Sequence, residues 1–468
     1  MSLAAESRTS FAGDTFRRAV SATFGWNVAQ RVLGLVRTLL FVVWLAPTEL
    51  GRLTVVQTLL VFAAPLVVLG LPGSFGRQVE QFRQRGQLAG YLRRTLTASG
   101  GLVAGAAIAG WVYAEPLAEL FLHDVGYVDS LRASVWVLVA AVLFQSSQEF
   151  LTSVHQAARA ARWQLVSAAL FLLFGGLFSF APVIASTRSA FGWPPHVGII
   201  AAYGLSLLVP SVAAWWSIAR SEELWRDQHN PLDVANWLAQ VAPFALGVWV
   251  TNVVASGFDG ALVYGLKRWS ALSPAGTDAL VGHLFTARVV PTLLAGLAGM
   301  LCGVVVPYLS RDWESGGREA VFRRLRETLH GFAAVYTTVA AVTLVVGPSA
   351  ARALVGPKHD VALTLLPWSL AMGGAFSQLS LAQTYFWCLG RTWLTSLALA
   401  VGLVTSLALL SITVPHADVA GAVAAGAVGH VVALVIVLQL VQRHGLPLDA
   451  WTLLAVFLPL APGLGPIP

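Results

Sequence analysis

The stretch TSLALAVGLVTSLALLSI, residues 395–412, holds eighteen consecutive residues without a charge. As an α-helix it would be about 27 Å long, which matches the roughly 30 Å hydrocarbon core of a bilayer. Comparable apolar runs recur along the chain from Val20 to Leu440, and most charges lie in the short segments between them. Helices rather than barrel strands fit runs of this length. The sequence therefore predicts an all-α polytopic membrane protein.

The overall composition agrees with this class. Hydrophobic residues make up 57% of the 468, charged residues only 11%, and the mean hydropathy is +0.72, whereas soluble domains carry roughly 25% charge. The first apolar run contains Arg31 and Arg37 and is too long for a signal-peptide core, so we interpret it as a retained span. Both cysteines, Cys302 and Cys388, fall in predicted spans and indicate neither a disulfide framework nor a zinc site.

Twelve segments are predicted to cross the membrane. A thirteenth candidate, residues 451–468, is short and rich in Pro and Gly, and it is equally compatible with a re-entrant or interfacial segment. The twelve spans are residues 20–45, 53–75, 95–118, 131–154, 163–185, 196–219, 236–258, 280–307, 331–355, 361–388, 391–413 and 418–441.

Basic residues are distributed unevenly about these spans. Nineteen Lys and Arg residues lie on the side of the N-terminus, seven lie on the opposite side, and three lie within spans. Because Lys and Arg accumulate in cytoplasmic loops, the N-terminus is predicted to be cytoplasmic. This topology also explains the net charge of +7 without a nucleic-acid partner, and none is expected.

The chain also contains an internal repeat. RGQLAGYLRRTL at residues 85–96 resembles GGREAVFRRLRE at residues 316–327. An offset of six spans preserves orientation, so the pattern predicts two parallel six-helix repeats around a central cleft. The predicted lobes are residues 1–230 and 231–445, followed by an apolar segment, residues 446–468. At spacings of 231 or 232 the matching pairs are Gly51 and Gly282, Leu53 and Leu284, Gly86 and Gly317, Arg93 and Arg324, Phe144 and Phe376, and Thr152 and Thr384.

The first span carries two cations on a polar stripe. Arg31 lies roughly 16 Å into this span, near the bilayer midplane, and it shares an arc of about 120° with Asn27, Gln30, Gly34 and Arg37. An arginine in that position suits bidentate binding of an anionic group such as a phosphate. The alternatives are that Arg31 pairs with a carboxylate or carbonyl and that Arg37 extends to the interface.

A third intramembrane cation, Arg288, lies in the eighth span just before Pro291, where a kink could open the helix to water. By the repeat offset it corresponds to Gln57. It is predicted either to face the cleft and bind substrate or to form a structural salt bridge.

Two further spans hold candidates for coupling or gating. The seventh span contains Asn236, Gln240 and Pro243, and interrupted helices are common sites of transporter gates. Glu149, in the fourth span, could exchange a proton or pair with an arginine. Helix packing through small and polar residues, or solvation at the interface, would explain the same residues.

Catalytic motifs are missing from the sequence: it has no P-loop, no HExxH, no GxSxG and no Cys or His cluster. We therefore expect no enzymatic activity, no catalytic residue, no cofactor and no metal.

Three segments carry a family resemblance. LAPTELGRLTVVQTLL at residues 45–60 and LGLPGSFGRQVEQF at residues 69–82 resemble the first two spans of bacterial polysaccharide-biosynthesis flippases, in the multidrug/oligosaccharidyl-lipid/polysaccharide exporter superfamily. VVPYLSRDWESGGREAVFRRLRETL at residues 305–329 resembles the loop after the second span of that family's second lobe. A longer connection between the seventh and eighth spans, residues 260–277, departs from the family.

The resemblance implies a flippase that moves a lipid-linked oligosaccharide to the outer leaflet by alternating access, in the bacterial inner membrane. Arg31, Arg37 and Arg288 would then hold the pyrophosphate, and the partners would be this substrate, membrane lipids and polysaccharide-assembly proteins. A drug or small-solute exporter of the same fold and a membrane-embedded polysaccharide polymerase remain as alternatives. A sugar porter of the major facilitator type is disfavoured because GRQVEQFRQRG, residues 76–86, lacks a DRxGRR-like signature.

Overall fold

The computed structural model describes residues 16–122, 124–154, 156–184, 194–220, 232–314, 318–357, 360–389 and 391–464, and within them it contains helices and no strand. Three 3-10 turns, Pro72–Ser74, Val125–Tyr127 and Leu458–Leu464, and one π turn, Ala118–Leu122, accompany the α-helices. The α-helices are α1 (Phe16–Trp44), α2 (Pro47–Val68), α3 (Phe75–Gln84), α4 (Leu88–Val112), α5 (Ala114–Leu117), α6 (Val128–Ser153), α7 (Ala157–Ile184), α8 (Pro195–Ala219), α9 (Val234–Trp269), α10 (Pro274–Ala287), α11 (Val289–Glu314), α12 (Arg318–Val355), α13 (Asp360–Thr364), α14 (Leu366–Ala382), α15 (Thr384–Cys388), α16 (Thr392–Arg443) and α17 (Ala450–Phe457).

These helices account for the predicted spans and confirm the all-α polytopic class. Nine helices among the described residues are long and apolar enough to cross a membrane, and α10 with α11 forms a tenth span that is bent by 51°. The helix α16 has 52 residues, about 78 Å, and it divides at Asp418, whose φ of 44° is not helical. It therefore supplies both the eleventh and the twelfth predicted spans, while α13, α14 and α15 cover the tenth.

The ends of several spans differ from the sequence prediction. The helix α2 ends at Val68, seven residues before the predicted end, because Leu69 and Gly70 adopt left-handed φ angles of 48° and 71°. The helix α9 continues to Trp269. The long outer connection predicted at residues 260–277 is therefore wrong, and only Ser270–Ser273 separate α9 from α10.

Two glycines allow the halves of α16 to cross closely. A Cβ on Gly402 would lie 2.5 Å from the carbonyl oxygen of Gly429, and a Cβ on Gly429 would lie 2.7 Å from the carbonyl oxygen of Gly402. Small residues at such crossings let helix backbones approach in membranes.

The described residues form two compact units. The first comprises those within Met1–Arg37, Leu59–Leu120 and Val125–Asn252, and the second comprises those within Thr38–Thr58, Phe121–Asp124 and Val253–Pro468. The division between them falls inside α1, α2 and α9 as well as at the turn near residue 121.

Contacts in each unit reveal a second repeated motif. The tripeptide PLD occurs at residues 231–233 and again at 447–449. Arg94 donates to the carbonyl oxygen of Leu232, and Arg326, which is 232 residues further along, donates to the carbonyl oxygen of Pro447 at 3.3 Å. The aspartate of each motif caps the helix that follows, α9 or α17. The apolar C-terminal segment therefore begins in the same way as the seventh span.

The C-terminal segment packs along α14. Its helix α17 has only eight residues, about 12 Å, and continues as the 3-10 turn Leu458–Leu464. A Cβ on Gly374 would lie 2.8 Å from the Pro459 Cβ, and a Cβ on Gly463 would lie 2.7 Å from the Ala371 Cβ.

Acid is expected to loosen this segment. The hydrogen bonds that Thr452 donates, with the positive charge of Arg326 at 3.3 Å, hold the pKa of Asp449 below its usual range. A depressed carboxyl pKa stabilises the folded state above the unfolded pKa, about 3.9, and this contribution is lost as the pH falls further. A nitroxide at Leu454→Cys should become more mobile between pH 7 and pH 3, and Asp449→Ala should be mobile across the whole range. Identical pH profiles for the two proteins would contradict the assignment.

Candidate functional site

The helix α1 presents two distinct faces. Val28, Val32, Val36, Leu39 and Val43 follow one another at helical spacing and are 36–54% exposed. The predicted polar stripe lies on the opposite side of the helix and is half-buried throughout. Its members are Asn27, Gln30, Arg31, Gly34 and Arg37. The sequence therefore placed the polar stripe on the face that is turned toward the protein, and the apolar stripe on the face that suits lipid.

Arg31 occupies the middle of this stripe. Its Nε is buried and donates to no acceptor among the described residues. An arginine at this depth is costly unless something compensates its charge. Pairing with a carboxylate or carbonyl, the structural alternative for Arg31, finds no support in the described part of the chain.

Arg37 has a different environment. Its Cζ lies 4.3 Å from the ring centroid of Phe171 in α7, and that ring packs against Tyr203 in α8 with centroids 4.8 Å apart. A guanidinium over an aromatic face gains about 0.5–2 kcal/mol. The structure thus gives Arg37 a packing partner on the inner side of the helix, and the side chain does not extend along the lipid-facing stripe.

Arg288 lies at the break between α10 and α11. Its backbone N–H donates to the carbonyl oxygens of Leu284 and Phe285, each at 3.1 Å, and the two helices bend by 51° at this point. The break lies three residues before Pro291, where the sequence predicted a kink. Arg288 belongs to the second compact unit, whereas Arg31 and Arg37 belong to the first.

The turn after α2 brings several predicted coupling elements together in the first unit. Gly70 lies directly against the backbone of Ala245 in α9, so that a Cβ there would overlap the Ala245 carbonyl oxygen. A Cβ on Gly73 would lie 2.8 Å from the Val248 side chain and 3.8 Å from the Glu149 Oε2. The left-handed φ of Gly70 and its lack of a side chain both favour glycine here.

Glu149 therefore lies beside this turn on α6. Its Oε1 accepts a hydrogen bond of 2.8 Å from the Gln145 Nε2, one helical turn earlier. On the same helix, Gln148 is 7% exposed, and its Oε1 has no hydrogen-bond partner within the described residues. A carboxylate and an unsatisfied amide oxygen on one helix form a polar patch inside an otherwise apolar bundle.

Gln240 in α9 accepts hydrogen bonds from two residues in and next to α3. Its Oε1 accepts from Arg85 at 2.8 Å, and its carbonyl oxygen accepts from the Gln78 Nε2 at 3.3 Å. Asn236 and Pro243 are exposed, and α9 continues through Pro243 without interruption. The structure thus gives Gln240 two partners and leaves Asn236 and Pro243 on the surface of the unit.

The sequence analysis did not identify Gln78, the α3 residue that donates to the Gln240 carbonyl oxygen, as a candidate. It is 5% exposed, and its Oε1 has no partner in the described part of the chain. A glutamine within the segment GRQVEQFRQRG looks like part of a solvated basic loop. Its hydrogen bond to the Gln240 carbonyl oxygen in α9 joins residues 162 positions apart, which no local sequence pattern indicates.

No protein-family model and no curated protein matches this chain. Several solved structures are similar to it. The chain is similar to the lipid II flippase MurJ in an inward closed conformation, with a TM-score of 0.68 and 12% identity over 95% of this chain and 97% of that one. It is also similar to an inward-facing multidrug resistance MATE family transporter of the MOP superfamily, with a TM-score of 0.67 and 14% identity over 91% and 98%. A eukaryotic MATE transporter gives a TM-score of 0.61 and 12% identity over 94% and 97%.

At these identities the similarity establishes the fold. The chain has the fold of these transporters over nearly its whole length, as a multi-pass membrane protein, and the proteins named are transporters rather than enzymes. The predicted all-α polytopic fold is confirmed at this level.

Proposed function

We propose that the protein is an alternating-access flippase that moves a lipid-linked oligosaccharide, carried on a pyrophosphate, from the cytoplasmic to the outer leaflet of the bacterial inner membrane. The observation that carries this proposal is Arg31. It lies half-buried near the middle of the first span, and its buried Nε has no acceptor among the described residues.

A pyrophosphate would supply the hydrogen-bond acceptor that the buried Arg31 Nε does not have among the described residues. Its oxygens accept charge-assisted hydrogen bonds, which are roughly twice as strong as neutral ones. The neighbouring Asn27 and Gln30 on the same face can bind glycan hydroxyls or phosphate oxygens through their amides. Arg37, held over Phe171, would add positive charge about 9 Å further along the helix, and Arg288 is proposed to serve the same substrate from the second repeat.

Glu149, Gln240, Asn236 and Pro243 are proposed to act in coupling or gating. The turn at Gly70 and Gly73 supports this role for Glu149, since the turn lies between the carboxylate and α9. A movement of α9 would change the environment of Glu149 and so its affinity for a proton.

The second candidate is a drug or small-solute exporter of the same fold. Glu149 favours it, because a half-buried carboxylate that accepts a hydrogen bond only from Gln145 within the described part of the chain could bind a cationic solute. The fold, shared with MATE transporters, accommodates either substrate.

Ligand-induced stabilisation distinguishes the two candidates. Purified protein in nanodiscs is heated with undecaprenyl pyrophosphate, with undecaprenol as the matched lipid that lacks the pyrophosphate, or with tetraphenylphosphonium as an organic cation. We expect the pyrophosphate lipid alone to raise the melting temperature, because a ligand that binds only the folded state stabilises it. Stabilisation by the organic cation and not by the pyrophosphate lipid would replace the flippase with the exporter.

A further inference from the structure

A cluster of three charges joins α2, α9 and α10; two of its side chains are buried, and the third, that of Arg52, is 37% exposed. The side chain of Asp278 is completely buried, and that of Lys267 is 2% exposed. The Lys267 Nζ donates to Asp278 Oδ1, and the Arg52 Nε donates to Asp278 Oδ2 at 3.2 Å. Glu49, one turn before Arg52, lies 3.9 Å from the same guanidinium. None of these residues belongs to the candidate substrate site.

The cluster sits at a symmetric crossing of two equivalent helices. The helices α2 and α10 occupy the same place in the two repeats, and their residues Gly51 and Gly282 are 231 positions apart. A Cβ on Gly51 would overlap the carbonyl oxygen of Asp278, and one on Gly282 would overlap the carbonyl oxygen of Pro47. Because Pro47 and Asp278 are also 231 positions apart, the contacts are reciprocal, as for a local two-fold axis between the helices.

The two glycines bring the backbones together, and the charges then hold them. Packing alone would not need a buried ion cluster, since well-packed apolar residues of similar volume are often at least as stabilising. Charged groups differ from apolar ones in what happens on separation, because water solvates the separated charges well. A cluster of charges paired around one buried carboxylate therefore suits a contact that forms and comes apart.

We propose that Arg52, Lys267 and Asp278 form an ion lock that holds these ends of α2 and α10 together in one state of the transport cycle and separates in the other. The inference rests on the proposed alternating-access function, and it is independent of which substrate is moved. By the distribution of basic residues, this end of both helices faces away from the cytoplasm, so the lock closes the outer side.

Accessibility of a buried reporter tests the lock. In a variant without Cys302 and Cys388, a single cysteine replaces Leu53, which is 1% exposed at this crossing; Leu284→Cys, its repeat counterpart, serves as a second reporter. A membrane-impermeant maleimide is added to the outside of intact cells. We expect Asp278→Asn to speed labelling about tenfold or more, because it removes the negative charge that both Lys267 and Arg52 contact. Arg52→Gln, which keeps the Lys267 pair, should have a smaller effect in the same direction.

The matched control is Arg268→Gln, which removes an exposed cation next to Lys267 and should leave the labelling rate unchanged. If the Asp278→Asn protein does not accumulate in the membrane, the labelling rate of Arg52→Gln alone tests the proposal. Labelling rates equal to those of the parent in every accumulating lock variant would overturn the proposal. Labelling requires no substrate. If the lock variants are labelled faster but the parent protein moves no lipid-linked glycan, the ion lock is supported and the flippase assignment is wrong.

Discussion

Replacing Arg31 with alanine is expected to reduce substrate movement in reconstituted vesicles by about tenfold to a hundredfold, which corresponds to one lost hydrogen bond to a charged group. The Nε of this arginine is buried without an acceptor in the described part of the chain, so its interaction energy is available to an anionic ligand. The initial rate of movement of a fluorescent lipid-linked oligosaccharide is the measurement. Arg31→Lys, which keeps the charge but loses the planar fork, should fall between alanine and the parent.

The control for this experiment is Arg93→Ala, which removes an exposed cation from α4 and should leave the rate unchanged. Equal insertion of all variants into the membrane must be verified. Movement that persists in Arg31→Ala at the parental rate would remove Arg31 from the substrate site and leave the transport function standing.

Substituting Gly402 with alanine is expected to destabilise the protein by about 1–3 kcal/mol, the usual cost of overpacking. The added Cβ would meet the Gly429 carbonyl oxygen at 2.5 Å and the Ala433 Cβ at 2.8 Å. Neither neighbour can move without shifting the backbone of α16. A lower melting temperature of the purified protein is the expected result.

Gly299→Ala is the matched control for Gly402→Ala. Gly299 is also a helical glycine, but apart from its own helix no atom of the described residues lies within 4 Å of its added Cβ, so alanine should be neutral or stabilising by up to about 1 kcal/mol through helix propensity. Equal melting temperatures for the two variants would show that the halves of α16 do not pack as closely as described.

Hydropathy predicted the spans well because membrane burial dominates the helix signal. The predicted spans at residues 131–154 and 196–219 nearly coincide with α6 and α8. The errors arose where backbone geometry overrides hydropathy. Leu69 and Gly70 end α2 early within an apolar run, whereas α9 and α12 extend through polar residues that hydropathy assigns to loops.

The internal repeat was detectable in the sequence, but the contact between the two equivalent helices α2 and α10 was not. The spacing of 231 between Gly51 and Gly282 was visible, but nothing in the sequence indicated that these two glycines lie at one helix crossing. Arg52 and Lys267 are two of the seven basic residues that the sequence places on the side opposite the N-terminus, and only the packing of α9 against α10 gives them Asp278 as a common partner. The PLD motif escaped notice because its spacing is 216 rather than 231. Gly317, the predicted partner of Gly86, lies outside the described residues.

The candidate site was predictable in part. Helical periodicity alone placed Asn27, Gln30, Arg31 and Arg37 on one face of α1, and the structure gives that face partial burial. The aromatic partner of Arg37 could not be predicted, since Phe171 lies 134 positions away in a different helix. The association of Glu149 with the turn at Gly73 depends likewise on tertiary packing, which a single sequence does not encode locally.

Direct observation of substrate movement tests the central claim. The purified chain is reconstituted into vesicles that carry a fluorescent undecaprenyl-pyrophosphate oligosaccharide in both leaflets, and a membrane-impermeant quencher reports the exchange between them. The account predicts exchange that requires the protein and that undecaprenol without a pyrophosphate does not inhibit. Vesicles that exchange no lipid-linked glycan but take up an organic cation through the same protein would contradict the flippase and identify an exporter of small solutes.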